Sequence, residues 1–262
     1  MVDMGIMLAP ERRKIILEKL QEDKKVIVSQ LSSLFEVSDE TIRRDLELLC
    51  QDGHATKSYG GAILNENGTD LPFNVRKLYR PMEKKKIAEL VEPLINDDDK
   101  IFLDASTTAV FVARSLKTKK RLTVVTNSLE VMLELSDKRD FTVLSTGGRL
   151  MGEYLALTGV RATQTLNSFY ADKLIFSCKA LSYNGTDSGI FDSADDFSLV
   201  KQKMIAQSKT KILATDNSKF GKTAFSKITT ISGIDMVATD VSPGEGWLEY
   251  FAGEGVEVLF KS

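Results

Sequence analysis

Apolar residues recur every three or four positions in the first fifty residues, which is the spacing of short amphipathic helices. The first two repeats predict buried faces made of Ile16, Leu17 and Leu20, and of Leu31, Leu34 and Phe35. The two helices that carry these faces are expected to pack against each other and against a third.

The third helix is predicted to begin after Ser38. A serine can cap a helix N-terminus, and Asp39 and Glu40 would then lie where negative charge suits the helix dipole. Its buried face would consist of Ile42, Leu46 and Leu49, and it would end near Gly53. Extended chain over residues 54–58 and a turn at Gly60-Gly61 follow. Three helices and a small hairpin within residues 1–63 predict a winged helix-turn-helix.

The remaining chain alternates between helical patterns and short apolar runs. These runs are residues 101–103, 122–125, 141–144, 174–176, 211–214, 236–238 and 256–259. Short buried strands between amphipathic helices predict an open, mainly parallel α/β sheet. A polar stretch over residues 65–70 predicts a linker. The expected organisation is therefore a winged helix-turn-helix over 1–63, a linker over 64–80 and an α/β domain over 81–262.

Composition argues against several other classes of protein. One histidine and two distant cysteines, Cys50 and Cys178, give no basis for a histidine-based catalytic site, a cysteine-rich metal site or a disulfide framework. Neither a metal nor another cofactor is expected. No apolar run approaches the ~20 residues that span a membrane, and residues 1–9 lack the pattern of a secretory signal. These features favour a cytoplasmic protein.

The third helix carries cations on the side opposite its apolar face. With Ile42 facing the core, Thr41 and Arg44 point outward and Arg43 lies to one side. Arginine can form paired hydrogen bonds with guanine or phosphate. Residues 1–63 carry nine Lys/Arg and eleven Asp/Glu, so DNA contact would depend on a few well-placed cations. The same residues could equally form an ordinary solvated helix face.

Polar or small residues follow six of the seven predicted strands, at Asp104–Thr108, Thr126-Asn127, Thr146–Gly148, Ser177, Asp216 and Thr239-Asp240. The carboxyl ends of parallel strands share one edge of the sheet, where ligands bind. The Asp104–Thr108 segment opens a helix, so its N–H and hydroxyl groups could surround a phosphate. The alternative is that Ser106 or a neighbouring threonine is only a helix cap.

Two segments of the first domain resemble the DeoR family of bacterial transcription regulators. The family pattern F-x-V-S-x-x-T-I-R-R-D-L occurs over residues 35–46, and the wing ends in the family's G-G-A over residues 60–62. The resemblance implies DNA contacts from Thr41, Arg43 and Arg44, with Ser38 at the start of the same helix. Lys57 and Tyr59 lie in the predicted wing, where they could contact the DNA backbone or the minor groove. The wing departs from the family at Ala55, Lys57 and Tyr59, where a larger aliphatic residue, arginine and histidine are usual.

The resemblance continues through the second domain and implies a sensor of phosphorylated sugars, similar to ribose-5-phosphate isomerase and glucosamine-6-phosphate deaminase. By position, the phosphate would be held by Asp104, Ser106, Thr107 and Thr108. The rest of the pocket would come from Asn127, Gly147, Gly148, Lys179, Lys201 and Lys219. The family commonly has T-D-S-N-x-x-E-A after Gly189, whereas this chain has F-D-S-A-D-D-F over residues 191–197. The identity of the sugar therefore does not transfer.

The sequence leaves three hypotheses in competition. The first is a repressor of a carbohydrate-utilisation operon, bound to operator DNA as a dimer or tetramer and released by a phosphorylated sugar. The second is a sugar-phosphate isomerase or deaminase with an accessory DNA-binding domain, which turnover would reveal. The third is a constitutive DNA-binding protein whose second domain only oligomerises, and whose operator affinity no sugar phosphate would change.

Overall fold

A computed structural model of the chain describes residues 8–51, 55–64, 72–183, 185 and 188–261. The chain folds as two compact units that divide between Arg76 and Lys77. This division lies inside the predicted linker, residues 64–80, and the predicted domain limits stay predictions. The polar stretch over 65–70 and the helix end near Gly53 lie outside the described residues. No helix in the described ranges has the length and apolar character needed to cross a membrane.

Up to residue 64, the described part of the first unit contains three helices and a three-stranded antiparallel sheet. The helices are α1 (Ala9–Asp23), α2 (Val28–Phe35) and α3 (Asp39–Gln51), and the strands are β1 (Lys25–Ile27), β2 (Ala55–Ser58) and β3 (Gly61–Leu64). The sheet order is β1-β3-β2, so β1 completes the hairpin made by β2 and β3. This arrangement confirms the predicted winged helix-turn-helix. A further helix, α4 (Phe73–Leu78), follows.

One predicted core residue of this unit is wrong. Leu34 is 42% exposed, whereas Val28, Leu31 and Phe35 are buried. Because α2 begins at Val28, its buried stripe runs from position 28 through 31 to 35, and Leu34 falls beside that stripe. The predicted faces of α1 and α3 are buried as expected.

The second unit is built on a parallel sheet of seven strands. These are β4 (Lys100–Leu103), β5 (Thr123–Thr126), β6 (Thr142–Ser145), β9 (Ala171–Phe176), β12 (Ser208–Ala214), β14 (Met236–Ala238) and β15 (Glu257–Leu259). Their order is β15-β14-β12-β9-β4-β5-β6, and every neighbouring pair is parallel. Each of the seven overlaps one of the predicted apolar runs. The α/β class is confirmed.

Two smaller antiparallel elements accompany this sheet. One is a hairpin of β7 (Arg149–Met151) and β8 (Ala156–Thr158), and the other is a sheet of β10 (Ala180–Ser182), β11 (Gly189–Asp192) and β13 (Ser226–Thr229). The helices of the unit are α5 (Pro81–Val91), α6 (Thr107–Ser115), α7 (Leu129–Leu135), α8 (Val160–Leu166), α9 (Asp195–Ala206) and α10 (Glu245–Gly253).

The strand order reverses direction between β4 and β9. From β4 the chain proceeds through α6 and α7 to β5 and β6 on one side, and from β9 it proceeds to β12, β14 and β15 on the other. In open α/β sheets, ligands bind outside the carboxyl ends of the strands at such a switch point. We therefore expect a ligand site at the residues that follow β4 and β9.

Candidate functional site

The exposed face of α3 carries the side chains predicted to contact DNA. Ile42, Leu46 and Leu49 are buried, which leaves Arg43 and Arg44 exposed and Thr41 half-buried. The Ser38 hydroxyl accepts a hydrogen bond from the Thr41 backbone N–H at 3.2 Å, so Ser38 caps the helix as predicted. This cap fixes where α3 begins and hence which side of the helix each arginine occupies.

Two of the cations predicted to contact DNA, Arg44 and Lys57, form ion pairs with acidic side chains of α3. Arg44 Nε lies 3.5 Å from Glu40 Oε1, and Lys57 Nζ lies 2.6 Å from Glu47 Oε1. The hydrogen bond and charge of Lys57 lower the pKa of Glu47, and those of Glu47 raise the pKa of Lys57. The Lys57–Glu47 contact places the wing lysine beside α3. Tyr59, at the wing turn, is fully exposed.

Asp45, the aspartate of the R-R-D-L segment, points into the core, away from the exposed side chains of Arg43 and Arg44. Asp45 is 3% exposed, with Oδ2 at 2.6 Å from Arg12 Nε and Oδ1 at 3.4 Å from Arg13. Both arginines belong to α1, so Asp45 joins two helices of the unit. The spacing could have indicated this role, because Asp45 follows Ile42 by three positions and thus lies on the buried face.

The glycines at the wing have distinct structural roles. Gly60 adopts a positive φ of 77°, which L-residues rarely adopt, and it forms the turn between β2 and β3. A Cβ added to Gly61 would lie 1.9 Å from the carbonyl oxygen of Val26 in β1. Ala62 is buried. The close approach of β1 and β3 therefore requires glycine at position 61, whereas the positive φ of the turn favours glycine at position 60.

In the second unit, Asp104 lies at the switch point between β4 and β9. Its Oδ2 accepts a hydrogen bond from the Ser177 backbone N–H at 3.1 Å, and Ser177 is the residue that follows β9. Its Oδ1 accepts from the N–H and hydroxyl of Ser106 at 3.1 and 2.6 Å. The Ser106 hydroxyl in turn accepts from the Ala109 N–H at 3.0 Å and caps α6. Both carboxylate oxygens of Asp104 thus hold the loop in place.

A buried lysine neutralises this carboxylate. Lys201 Nζ lies 3.2 Å from Asp104 Oδ2 and 2.5 Å from Asp192 Oδ2, and it donates to the Ser177 carbonyl oxygen at 2.7 Å. Burial opposes the charge of Lys201, but the Asp192 and Asp104 carboxylates outweigh burial and raise its pKa above the ordinary value. Lys201 therefore stays protonated at neutral pH and cannot accept a proton or attack a carbonyl group.

The other predicted effector residues lie along the same edge or just beyond it. Thr107 and Thr108 form the first turn of α6 and are buried, and Asn127 directly follows β5. Gly147 and Gly148 follow β6 with positive φ angles. Lys179 is half-buried between β9 and β10.

Lys219 lies in a short 3-10 turn beyond β12, and its charge lowers the pKa of Asp216. Burial would raise the pKa of Asp216, but the charge of Lys219, a hydrogen bond from Ser218 and the charge of Arg80 lower it. The Asp216 carboxylate therefore remains ionised, and its charge is close to those of Lys219 and Arg80. The predicted cation thus has an acidic neighbour at this site.

Sequence reasoning missed Ser177 and Asp192 as structural partners of the predicted residues. The sequence predicts Ser177 at the edge of the sheet, but it does not predict the hydrogen bond to Asp104, which joins residues 73 positions apart. Cys178, its neighbour, is buried, which raises the pKa of the thiol to about 12. The thiol therefore stays protonated and unreactive at neutral pH.

Both halves of the chain match models of known protein domains. Residues 12–68 match the DeoR-like helix-turn-helix domain, and residues 80–241 match the DeoR C terminal sensor domain. A transcriptional regulator of Bacillus subtilis, YulB, is 37% identical over 89% of this chain and 90% of its own length. The transcriptional repressor GlcR of Bacillus subtilis is 33% identical over 97% and 96%. The glycerol-3-phosphate regulon repressor of Escherichia coli is 30% identical over 89% and 91%.

The likeness to solved structures is weaker. Ribose 5-phosphate isomerase A of Methanocaldococcus jannaschii superposes on 52% of this chain and 53% of its own, with a TM-score of 0.38 and 13% identity. The family of this chain follows from the matches to the domain models and from the full-length relatives.

Proposed function

The chain belongs to the DeoR family of bacterial transcription regulators, and from this we propose that it represses a carbohydrate-utilisation operon until a phosphorylated sugar releases it. Two full-length relatives are named as repressors, and one of these is named for a glycerol-3-phosphate regulon. The prediction of a regulator in preference to an enzyme is confirmed by these relatives. Binding to operator DNA would place the protein in the cytoplasm.

The exposed face of α3 supports the proposed contact with operator DNA. Arg43 and Arg44 project from a helix whose opposite face is buried, and Ser38 and Thr41 stand at its N-terminus, the part that meets base edges in helix-turn-helix proteins. Lys57 and Tyr59 extend this surface through the wing. Operators of this class are often two-fold symmetric, so we propose a homodimer or tetramer with two such helices.

The observation that carries the proposed sugar-phosphate site is the Asp104–Ser177 hydrogen bond at the switch point of the sheet. It holds the loop that opens α6 at the edge where ligands of this fold class bind. The first N–H groups of a helix have no partner within the helix and attract anions. The N–H and hydroxyl of Ser106 already donate to Asp104, so we assign the phosphate to Thr107 and Thr108, with Asp104 and Ser106 positioning the loop.

The first test is fluorescence anisotropy of the full chain on labelled DNA from the region upstream of its own gene. The titration is repeated at fixed salt with glucose 6-phosphate, fructose 6-phosphate, fructose 1-phosphate and glycerol 3-phosphate. We expect one compound to weaken DNA binding by roughly 5- to 150-fold, the usual range of allosteric coupling. The unphosphorylated form of each compound serves as its matched control and should have no effect.

The outcomes separate the hypotheses. Release by one compound, without turnover of that compound, supports the ligand-controlled repressor. Operator binding that none of the compounds changes would favour a constitutive DNA-binding protein. Conversion of a sugar phosphate, lost when Lys219 is changed to Ala, would revive the enzyme hypothesis.

A further inference from the structure

Two buried polar atoms near the carboxyl edge of the sheet have no hydrogen-bond partner in the described part of the chain. They are the amide oxygen Oδ1 of Asn127 and the hydroxyl Oγ1 of Thr158. Asn127 is 3% exposed and Thr158 is fully buried. Buried polar groups are nearly always paired, so two unpaired atoms in one region point to a ligand.

The backbone brings these two side chains into one region. Asn127 Nδ2 donates to the Leu157 carbonyl oxygen at 3.0 Å, and the Leu157 N–H donates to the Asn127 carbonyl oxygen at 2.7 Å. Thr158 directly follows Leu157 at the end of β8. A Cβ on Gly148 would lie 2.5 Å from the Thr158 carbonyl oxygen, so the Gly147-Gly148 segment that follows β6 also approaches Thr158.

This region adjoins the proposed phosphate site. Leu103 of β4 and Thr126 of β5 are partners in the parallel register, so Asp104 and Asn127 leave neighbouring strands at the same level. Neighbouring strands lie about 4.8 Å apart. A ligand held at the α6 N-terminus could therefore extend from the Asp104 loop towards Asn127.

The chemistry of the two atoms defines what can bind there. The bond from Asn127 Nδ2 to Leu157 fixes the amide orientation, so Oδ1 can only accept a hydrogen bond. A phosphate dianion has no proton to donate, whereas a sugar hydroxyl can donate to Oδ1 and also pair with the Thr158 hydroxyl. The atoms therefore fit the hydroxyl end of a ligand and not its phosphate end.

We infer that Asn127 and Thr158 form a hydroxyl-binding subsite for the effector, with Thr158 as a specificity residue that sequence reasoning did not identify. The inference rests on the proposed function, because it requires a sugar phosphate whose phosphate lies at Thr107 and Thr108. It assigns the ligand one orientation: phosphate at the α6 N-terminus and hydroxyl groups towards β8.

Thr158→Val tests the subsite because valine keeps the shape of threonine and removes only the hydroxyl. No hydrogen bond from that hydroxyl occurs among the described residues, so the change removes a buried unpaired group and should not lower the melting temperature. Binding of the four named sugar phosphates to the full chain is measured by calorimetry, with inorganic phosphate as a competitor. We expect affinity for the best-binding sugar phosphate to fall about tenfold, with competition by phosphate unchanged.

Thr158→Ser is the matched control, because it retains the hydroxyl and should keep most of the affinity. Unchanged sugar-phosphate affinity in Thr158→Val would overturn the inference and leave the proposed function intact. A lower melting temperature with unchanged affinity would instead identify an internal water site and also overturn it. If the unmodified chain binds none of the four sugar phosphates, the proposed function and the inference both fail.

Discussion

The carboxylate of Asp45 contacts two arginines of α1 within the core of the first unit. Arg12 is 7% exposed, and its guanidinium charge is balanced by Asp45 at 2.6 Å. Removing one member of a buried ion pair leaves the other charge without compensation, which costs about 3–5 kcal/mol. Asp45 is thus a stability residue within a segment whose arginines face outward.

Asp45→Ala should therefore destabilise the first unit by about 3–5 kcal/mol. Urea unfolding is followed by circular dichroism, which reports both units, and by fluorescence of Trp247, the single tryptophan, which lies in the second unit. We expect an earlier circular dichroism transition with an unchanged fluorescence transition. Asp39→Ala, an exposed acid of the same helix, should cost less than about 1 kcal/mol. Equal effects of the two variants would contradict this role.

Gly61 is a second residue whose identity the fold requires. In Gly61→Ala the new methyl group would meet the Val26 carbonyl oxygen, so β1 and β3 must separate, at a cost of about 1–3 kcal/mol. Gly60→Asn is the control, because that site has open space and asparagine tolerates a positive φ. Circular dichroism should show an earlier transition for Gly61→Ala alone. A stable Gly61→Ala protein would show that the wing adjusts more easily than its contacts indicate.

At the scale of elements, the sequence patterns predicted the parallel sheet of the second unit better than the smaller antiparallel strands. All seven strands of the parallel sheet were predicted, because each is a short apolar run such as Ile101–Leu103, which is fully buried. The β7–β8 hairpin was missed because β7 is mostly exposed and shows no apolar run. Strand β1 was missed because only Val26 of its three residues is buried.

Helix α3 and the wing should contribute differently to DNA binding. If Arg44 contacts a base, Arg44→Ala should cost about 1–3 kcal/mol and relax preference at one operator position. If Lys57 contacts phosphate, Lys57→Ala should weaken binding to all sequences evenly and lower the salt slope by about one. Anisotropy titrations at several salt concentrations on operator and scrambled DNA separate the two effects.

Lys14→Ala is the matched control for this pair of variants. Lys14 is an exposed cation on α1, outside the proposed interface, so its loss should leave both the salt slope and the sequence preference unchanged. The assignment of Arg44 fails if Arg44→Ala leaves operator affinity unchanged. That of Lys57 fails if its variant affects only one operator sequence.

At the scale of the whole molecule, the candidate effector site depends on contacts that no local pattern contains. Lys201 of α9 joins Asp104, which follows β4, to Asp192 of β11. The sequence predicted that polar residues would meet at one edge, because parallel strands share their carboxyl ends. The sequence did not predict that both carboxylate oxygens of Asp104 accept hydrogen bonds that hold the loop before α6. Nor did it predict that Lys201 is buried between two carboxylates. Those facts follow from the strand order.

Thr107→Glu should separate the sensing function from DNA binding. A carboxylate in the first turn of α6 would repel a phosphate at the proposed site, whereas α3 and the wing are unchanged. We expect normal operator affinity in the anisotropy titration and no release by the sugar phosphate that releases the unmodified protein. Gln164→Glu, which adds the same charge at an exposed position of α8, should respond normally. A retained response in Thr107→Glu would place the phosphate elsewhere.

The two units should also obey reciprocal coupling. If a sugar phosphate weakens operator binding by a given factor, saturating operator DNA must weaken sugar-phosphate binding by the same factor. Trp247 offers a direct readout, because its ring lies 5.0 Å from that of Phe220, the residue after Lys219. Titrations of Trp247 fluorescence with and without operator DNA should give dissociation constants that differ by the factor measured in anisotropy. Unequal factors would mean that the two titrations follow different sites for the compound, so that Trp247 does not report the site that controls DNA binding.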